Sequence, residues 1–560
     1  MLPLNLFLFA AIFVLIALAF RAWKDESPAP LGEPAFSRWI FWLLMLLAVA
    51  VRVYRFGELP YGINQDEAMS SVDALALGHH ATSRFGTWMP VQLEGWGWTM
   101  QSVLLSYLMA PFVAIGGLTP VAVRLPSLLI SLLGLVALYR LTSVALGRRI
   151  GLWVLFLAVI NPWHIMQSRW SLDCNMFGHF LLFSLLFLQL GVTAQGWRRD
   201  GYLALSMVLF GVTMYAYGAA YYTIPPFLLA VGAWLLWKRI LGGWRMAACA
   251  VIYLLVAWPI FVLVKINYFK DPTVHTFYCT IPMLSELTRI QDLLPFSEDG
   301  PLLRALKNSR WLTMVMFWTR PGGENWMNAL PQIGPMYYFN APFFLLGVWA
   351  AVRKLRQQSF GLILLLAWLG LGIYSGLMMN RVSVHRVHMV FYPMLVFSGL
   401  GIASTLALVR ARWQPVWTRA VCAVYLTGFC AFCAIYFTQH ATQAHMDYFP
   451  GFRESIKAAQ QSGREMIRIT ARTQLGHRDG GIGNDQCSEI LTLFHTQTDA
   501  LEFQSGAFGK RYPRMIYQET KPAPVSNVAY VYRTDERQYF DPDAFTFEEY
   551  ADFGVAISKK

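Results

Sequence analysis

The sequence predicts an α-helical polytopic membrane protein with a small C-terminal α/β domain, and three observations predict it. First, 56% of the 560 residues are hydrophobic and only 14% are charged, where a soluble domain is charged at about a quarter of its positions. Second, the mean hydropathy is +0.43, and 39 Phe, 25 Tyr and 21 Trp add more apolar surface than a soluble fold of this size can hide. Third, charge is unevenly spread. Residues 440–560 hold 14 Lys/Arg against 16 Asp/Glu, whereas the preceding part holds 31 against 16. The net charge of +13 therefore belongs to the apolar part, where loops short of acids report topology. No basic run suited to a phosphate backbone is present, which excludes nucleic acid as a partner.

A bilayer core about 30 Å thick takes about 20 apolar residues of helix. Such runs lie at 2–20, 39–54, 124–146, 150–166, 175–192, 201–219, 223–238, 246–265, 341–353, 359–378, 389–409 and 418–438, about 12 transmembrane helices. Every second connection is basic: Arg21, Lys24 and Arg38; Arg148 and Arg149; Arg198 and Arg199; Lys238, Arg239 and Arg245; Arg353, Lys354 and Arg356; Arg410, Arg412 and Arg419. Those connections are the cytoplasmic ones. The first run has basic residues only after it and no convincing cleavage site, so it reads as an anchor rather than a cleaved signal peptide.

The apolar stretch 101–118 would break this parity if it crossed, so it reads as a helix lying along or dipping into the outer face. The expected division is a 1–38 anchor and linker, a 39–438 transmembrane domain with external loops 55–123 and 266–340, and a 439–560 external domain. In that last domain FRESIKAAQQ suits an amphipathic helix, while MIRITA, NVAYVYR and FGVAIS suit strands.

Candidate chemical groups gather on the non-cytoplasmic side. Asp66 and Glu67 follow a Pro60/Gly62 turn at the start of a helical pattern. There a carboxylate is held in its charged form, as a base or metal ligand requires, or simply caps the helix. Glu94 sits among Trp88, Trp96 and Trp98, as anchored structure or as a ligand to a sugar hydroxyl. His164, Arg169 and Asp173 fall within ten residues. Arg169 and Asp173 at i, i+4 form an ion pair, or else Arg169 meets a phosphate. Arg381, His385, Arg386 and His388 lead into a span from outside, against the positive-inside bias, which calls for a lipid phosphate or a buried carboxylate as partner. Tyr217 belongs to an aromatic group, either an interfacial belt or a sugar platform. Cys430 and Cys433 lie in an apolar span with no second pair, which argues against zinc or redox chemistry there.

Taken together, GINQDEAMSSVDAL, LPSLLISLLGLVALYRL, NPWHIMQSRW and NRVSVHR resemble bacterial GT-C glycosyltransferases. The resemblance is to the glycosyltransferase family 39-like group that includes protein O-mannosyltransferases and lipid A aminoarabinose transferases. It covers residues from about 39 to 410 and is carried most by the Asp-Glu pair of the first external loop. It implies a GT-C-like fold with juxtamembrane helices in that loop, in the bacterial cytoplasmic (inner) membrane. It also implies transfer of a hexosyl or pentosyl group, at the outer face, from a polyprenyl-phosphate sugar donor to a protein or glycolipid acceptor. By the same resemblance Asp66 is the catalytic base, while Glu67 and Asp173 orient the acceptor or hold a metal. Metal use varies among such enzymes, so Mg or Mn stays open as a cofactor on Asp66, Glu67 and Asp173. Arg169 and Arg386 are candidates for the lipid phosphate on charge and side. Glu94, His164, Arg381, His385 and Tyr217 complete the expected substrate contacts. Glu94 is followed by Gly95, Trp96 and Gly97 where the aminoarabinose-transferase pattern has an acid-Lys pair and a Pro, which argues against that exact donor.

A carboxylate base against an apolar wall has its pKa raised toward neutrality, and fixed cations stabilise a departing phosphate. Two other classes compete. A transporter or flippase would show an internal repeat and midplane charges, and the acids here concentrate in external loops instead. An inactive envelope-assembly partner would be indifferent to Asp66.

Overall fold

The structure is a computed structural model that describes residues 36–95, 100–284, 300–318, 329–357, 359–379, 382–440, 448–473 and 487–560. The expected first span at 2–20 and the candidate Arg381 lie outside the described residues.

The chain divides into two compact units. The first holds the described residues up to 56 together with those of 127–269 and 289–438, and it is helical. It opens with α1 (Phe36–Val53). Among the described residues seven helices are long and apolar enough to cross a membrane: Pro120–Leu146, Asn175–Thr193, Ala220–Trp237, Gly243–Phe269, Phe360–Met378, His388–Leu408 and Ala411–His440. The protein is thus a multi-pass membrane protein.

The expected span 150–166 is not one helix. It stops at Val159 after 12 residues, and a six-residue helix, Pro162–Gln167, follows. The local chemistry explains the break. Asn161 caps the second helix by accepting from His164 N–H at 3.0 Å, and Pro162 takes its first turn, where a missing N–H costs nothing. Elsewhere, helices pack through small residues, as lipid-solvated bundles do. Ala341–Lys354 meets Phe391–Leu408 so closely that a Cβ on Gly347 would lie 1.7 Å from the Phe397 carbonyl oxygen, and one on Gly401 1.8 Å from that of Phe343.

The second unit gathers 57–126, 270–288 and 439–560. The expected boundary at 439 therefore separates segments that the fold joins, because the tail supplies the core against which the first loop packs. The unit contains α2 (Gln65–His80) and α3 (Leu104–Gly116), and its last residues, up to 126, open the long helix α4 (Pro120–Leu146). At 13 residues α3 is about 20 Å long and too short to span, which agrees with a stretch 101–118 that does not cross.

Two short antiparallel pairs, β1 (Leu93–Glu94) with β2 (Met100–Gln101) and β3 (Val274–His275) with β4 (Thr280–Ile281), brace the loops. Val91 N–H donates to the Thr280 carbonyl at 3.0 Å and ties the first loop to the second. The tail forms a five-stranded sheet of β5 (Met466–Thr470), β6 (Arg514–Met515), β7 (Val528–Arg533), β8 (Phe545–Tyr550) and β9 (Phe553–Ser558), in the order β6-β5-β7-β9-β8. Strand β5 runs parallel to β6 and β7, and β9 antiparallel to β7 and β8. The strands expected at MIRITA, NVAYVYR and FGVAIS are β5, β7 and β9, and FRESIKAAQQ is the helix Phe452–Gln461. Tyr517, Tyr530, Tyr532, Phe540 and Phe545 fill one face of the sheet.

Candidate active site

The Asp-Glu pair opens α2. Asn64 is the N-cap: its side chain accepts from Asp66 N–H at 2.9 Å, and its own N–H donates to Glu67 Oε2 at 3.2 Å. This reciprocal capping box satisfies two orphan donors and fixes which way the first turn faces. Asp66 is half-buried, whereas Glu67 is fully buried. Adjacent carboxylates thus take opposite environments, because neighbouring helical positions are rotated by about 100°.

Glu67 faces Arg124, at the start of α4. Arg124 Nε donates to Oε1 and Nη2 to Oε2, both at 2.8 Å, a bidentate pair with both side chains fully buried. The same guanidinium donates from Nη1 to the Pro60 carbonyl and from Nη2 to the Gly62 carbonyl, each at 2.9 Å. Arg124 therefore holds the turn that precedes Asn64 as well as the residue that follows Asp66. Gly62 has φ +84°, and a Cβ there would lie 2.1 Å from the Tyr448 carbonyl oxygen. Tyr448 also places its ring 6.0 Å from the Arg124 guanidinium carbon.

Glu67 was expected to orient an acceptor or bind a metal, and its surroundings correct this. With both oxygens on a guanidinium, a divalent cation there would meet a fixed positive charge, so Glu67 does not fit a metal ligand. Its geometry is that of a positioning residue.

Further along α2, Asp73 is buried and accepts from the Arg84 backbone N–H at 2.9 Å and from Arg84 Nη1. Arg84 Nη2 donates to the Glu94 carbonyl at 2.9 Å. The Glu94 carboxyl is pushed above the usual glutamate range by burial, which the Arg84 charge opposes and the Asp73 charge reinforces. Glu94 is thus tied to a charged cluster with Arg84 and Asp73, while Trp96 and Trp98 lie outside the described residues.

The remaining candidates lie in the helical unit. Asp173 is half-buried, and its Oδ1 accepts from Cys174 N–H at 2.7 Å. Cys174 packs with Trp170 and Leu172, and Tyr217 packs against them. Cys174 Sγ donates to the His385 carbonyl at 2.9 Å, and the adjacent Arg386 is also half-buried. The fold thus brings Asp173, Tyr217, His385 and Arg386 into one neighbourhood from three segments.

Two expectations for this unit are corrected. Arg169, read as a phosphate contact, is fully buried. Its Nη1 donates to the Val51 and Arg52 carbonyls at 3.3 and 2.6 Å, and its Nη2 to the Arg55 carbonyl at 3.3 Å. It satisfies carbonyls that α1 leaves unpaired at its C-terminus, where a cation is also favoured by the helix dipole. His164, expected to touch substrate, is buried between Arg52 Nη2 at 2.9 Å and the Tyr392 hydroxyl at 3.1 Å. Arg52 in turn donates to the Ala158 and Val159 carbonyls at 3.3 and 3.1 Å. Each arginine closes the end of another helix.

Sequence reasoning missed Arg124, Arg84 and Arg52. The signal for Arg124 was present: an arginine inside LPSLLISLLG-type apolar sequence, directly before Leu125 and Pro126, needs a buried partner.

Comparison with known proteins adds the fold. The family model described as dolichyl-phosphate-mannose-protein mannosyltransferase matches residues 101–278. No curated protein sequence is matched. Among solved structures, ArnT from Cupriavidus metallidurans in the apo state is similar at TM-score 0.57 and 14% identity, over 93% of this chain and 98% of that one. The same protein bound to undecaprenyl phosphate gives TM-score 0.57 at 13% identity, with the same coverage. Archaeal oligosaccharyltransferase AglB from Archaeoglobus fulgidus, in complex with an inhibitory peptide and a dolichol-phosphate, gives TM-score 0.53 at 13% identity, over 94% of this chain and 74% of that one. The chain has the GT-C fold.

Proposed function

We propose that this membrane protein of the GT-C fold is a glycosyltransferase that moves a sugar from a polyprenyl-phosphate carrier to an acceptor at the outer face of the cytoplasmic membrane. Its similarity to a protein bound to undecaprenyl phosphate and to one bound to a dolichol-phosphate and a peptide supports that donor class, and the peptide favours a protein over a glycolipid as the acceptor. The observation that carries the reading is the half-buried Asp66 beside a Glu67 fully paired with Arg124. One carboxylate of the pair is locked as a strut, and the other is half-buried in the first turn of the helix.

In this reading Asp66 takes the proton from the acceptor hydroxyl or amine as that atom attacks the sugar anomeric carbon. The bond from that carbon to the phosphate oxygen breaks, the configuration inverts, and polyprenyl phosphate leaves. Negative charge grows on the departing phosphate, which a fixed cation stabilises. For that cation the candidate is Arg386, on charge, in the helical unit that also brings His385, Asp173 and Tyr217 together. Arg124 and Glu67 set the angle of α2 and so the position of Asp66.

The test is donor consumption in lipid discs, with a panel of polyprenyl-phosphate sugars and purified protein. One sugar should be consumed by the wild type, and Asp66→Asn should slow it by about 10²–10⁴-fold, the usual range for a general base. Equal rates for wild type and Asp66→Asn would sink the assignment.

A further inference from the structure

We infer that His79, His80 and Asp499 form a transition-metal site of the zinc class, which clamps the C-terminal end of α2 to the tail. The three side chains each offer a ligand atom, and these atoms lie within 4.8 Å of one another. His80 Nε2 is 2.8 Å and His79 Nδ1 3.7 Å from Asp499 Oδ2. In a tetrahedral zinc site with ligands at 2.0–2.2 Å, ligand atoms are roughly 3.3 Å apart, so the two observed separations bracket the required one. The ligand atoms of His79 and His80 lie within 4.8 Å of each other, so the partly exposed imidazoles would draw in by up to about 1.5 Å to complete the geometry.

Consecutive residues of a helix normally diverge by about 100°. Here α2 ends at His80, Ala81 takes a left-handed conformation (φ 55°, ψ 27°), and the two imidazoles stand edge to face, 5.9 Å apart, toward one carboxylate. Asp499 is held from the other side. Its Oδ1 accepts from Leu501 N–H at 2.9 Å, capping the helix Ala500–Gln504, and lies 3.1 Å from His80 Nε2; Oδ2 is the oxygen that both histidines approach.

The donor set also selects the metal. Two imidazoles and one carboxylate suit zinc and its neighbours better than magnesium or calcium, which favour all-oxygen sites. The side chains are 41%, 27% and 41% exposed for His79, His80 and Asp499, so an ion can reach them and water can fill the fourth position. The site is at the opposite end of α2 from Asp66, roughly 20 Å away along the helix, so its role is to tie two segments and not to touch the reacting atoms.

The experiment uses untagged, metal-stripped full-length protein in lipid discs, titrated with Co²⁺ by visible absorption and then with Zn²⁺ in competition. One Co²⁺ per chain should bind, with the spectrum of a four- or five-coordinate ion, and Zn²⁺ should displace it. His80→Ala and Asp499→Asn should each weaken binding at least about 100-fold, beyond what loss of an outer-shell partner costs. Asp499→Asn keeps the helix cap, because Asn caps as well as Asp, so it should unfold like the metal-free wild type. Zn²⁺ should raise the thermal unfolding midpoint of the wild type but not of Asp499→Asn. Absence of Co²⁺ binding overturns the proposal. So does binding, or a Zn²⁺-induced thermal shift, that is unchanged in both variants, which would place the ion elsewhere.

Discussion

Arg124 and Glu67 pair where neither side chain meets solvent, so each depends on the other. Removing one partner of a buried pair costs about 3–5 kcal/mol. Glu67→Gln should therefore lower the unfolding free energy of the purified protein by about that amount, seen as a lower unfolding midpoint, and reduce activity through a displaced Asp66. Loss of activity with unchanged stability would instead mark Glu67 as a direct participant. Glu94 makes a second residue-level prediction. Its folded pKa lies above the ordinary 4.5, so the native state holds this proton more tightly than the unfolded state does. As pH rises from 4.5 through the raised value, the unfolded chain releases the proton first and the wild type loses stability. Glu94→Gln, which mimics the neutral acid, should escape that loss. The difference between the two should open above pH 4.5 and then stay constant; parallel stability curves across this window would count against it.

At the scale of the element, α3 and the Gly62 turn each constrain the first loop. Because α3 is too short to cross, its flanks must share one side of the membrane. Single cysteines at Tyr61 and Ile115, both exposed, should react with an impermeant thiol reagent from the same side in a cysteine-free background. Labelling from opposite sides would make 101–118 a span after all. Gly62 combines a left-handed φ with a backbone approach that leaves no room for a Cβ. Gly62→Ala should displace the Pro60–Gly62 carbonyls from Arg124 and cut donor turnover at least about tenfold. Unchanged turnover would show that the turn does not position Asp66.

For the whole molecule, the grouping of the first loop with the tail changes what truncation should do. An external domain appended to a finished catalytic unit would influence acceptor choice alone. Instead α2 packs on the helix Cys487–Thr496, and Tyr448 sits against both Gly62 and Arg124. Deleting 440–560 should therefore abolish turnover of every donor and acceptor pair and destabilise α2, seen as rapid proteolysis within 57–126. Full donor consumption by the truncated protein would restore the idea of a detachable selector.

Local signals were enough to predict most of the described helices, the short non-crossing α3 and three of the five tail strands, since apolar length and two-residue alternation act within a few neighbours. They also placed Asp66 and Glu67 at a helix start, where the cap itself is Asn64. Partners of charged residues were not legible. Arg169 and Arg124 look alike as arginines in apolar surroundings, yet one closes the end of α1, 117 residues earlier, and the other grips Glu67, 57 residues earlier. The union of loop and tail and the meeting of His79 and His80 with Asp499 were likewise decided by tertiary structure. Buried charge must find its counterpart wherever packing places one, and that choice depends on the whole fold rather than on the neighbouring sequence.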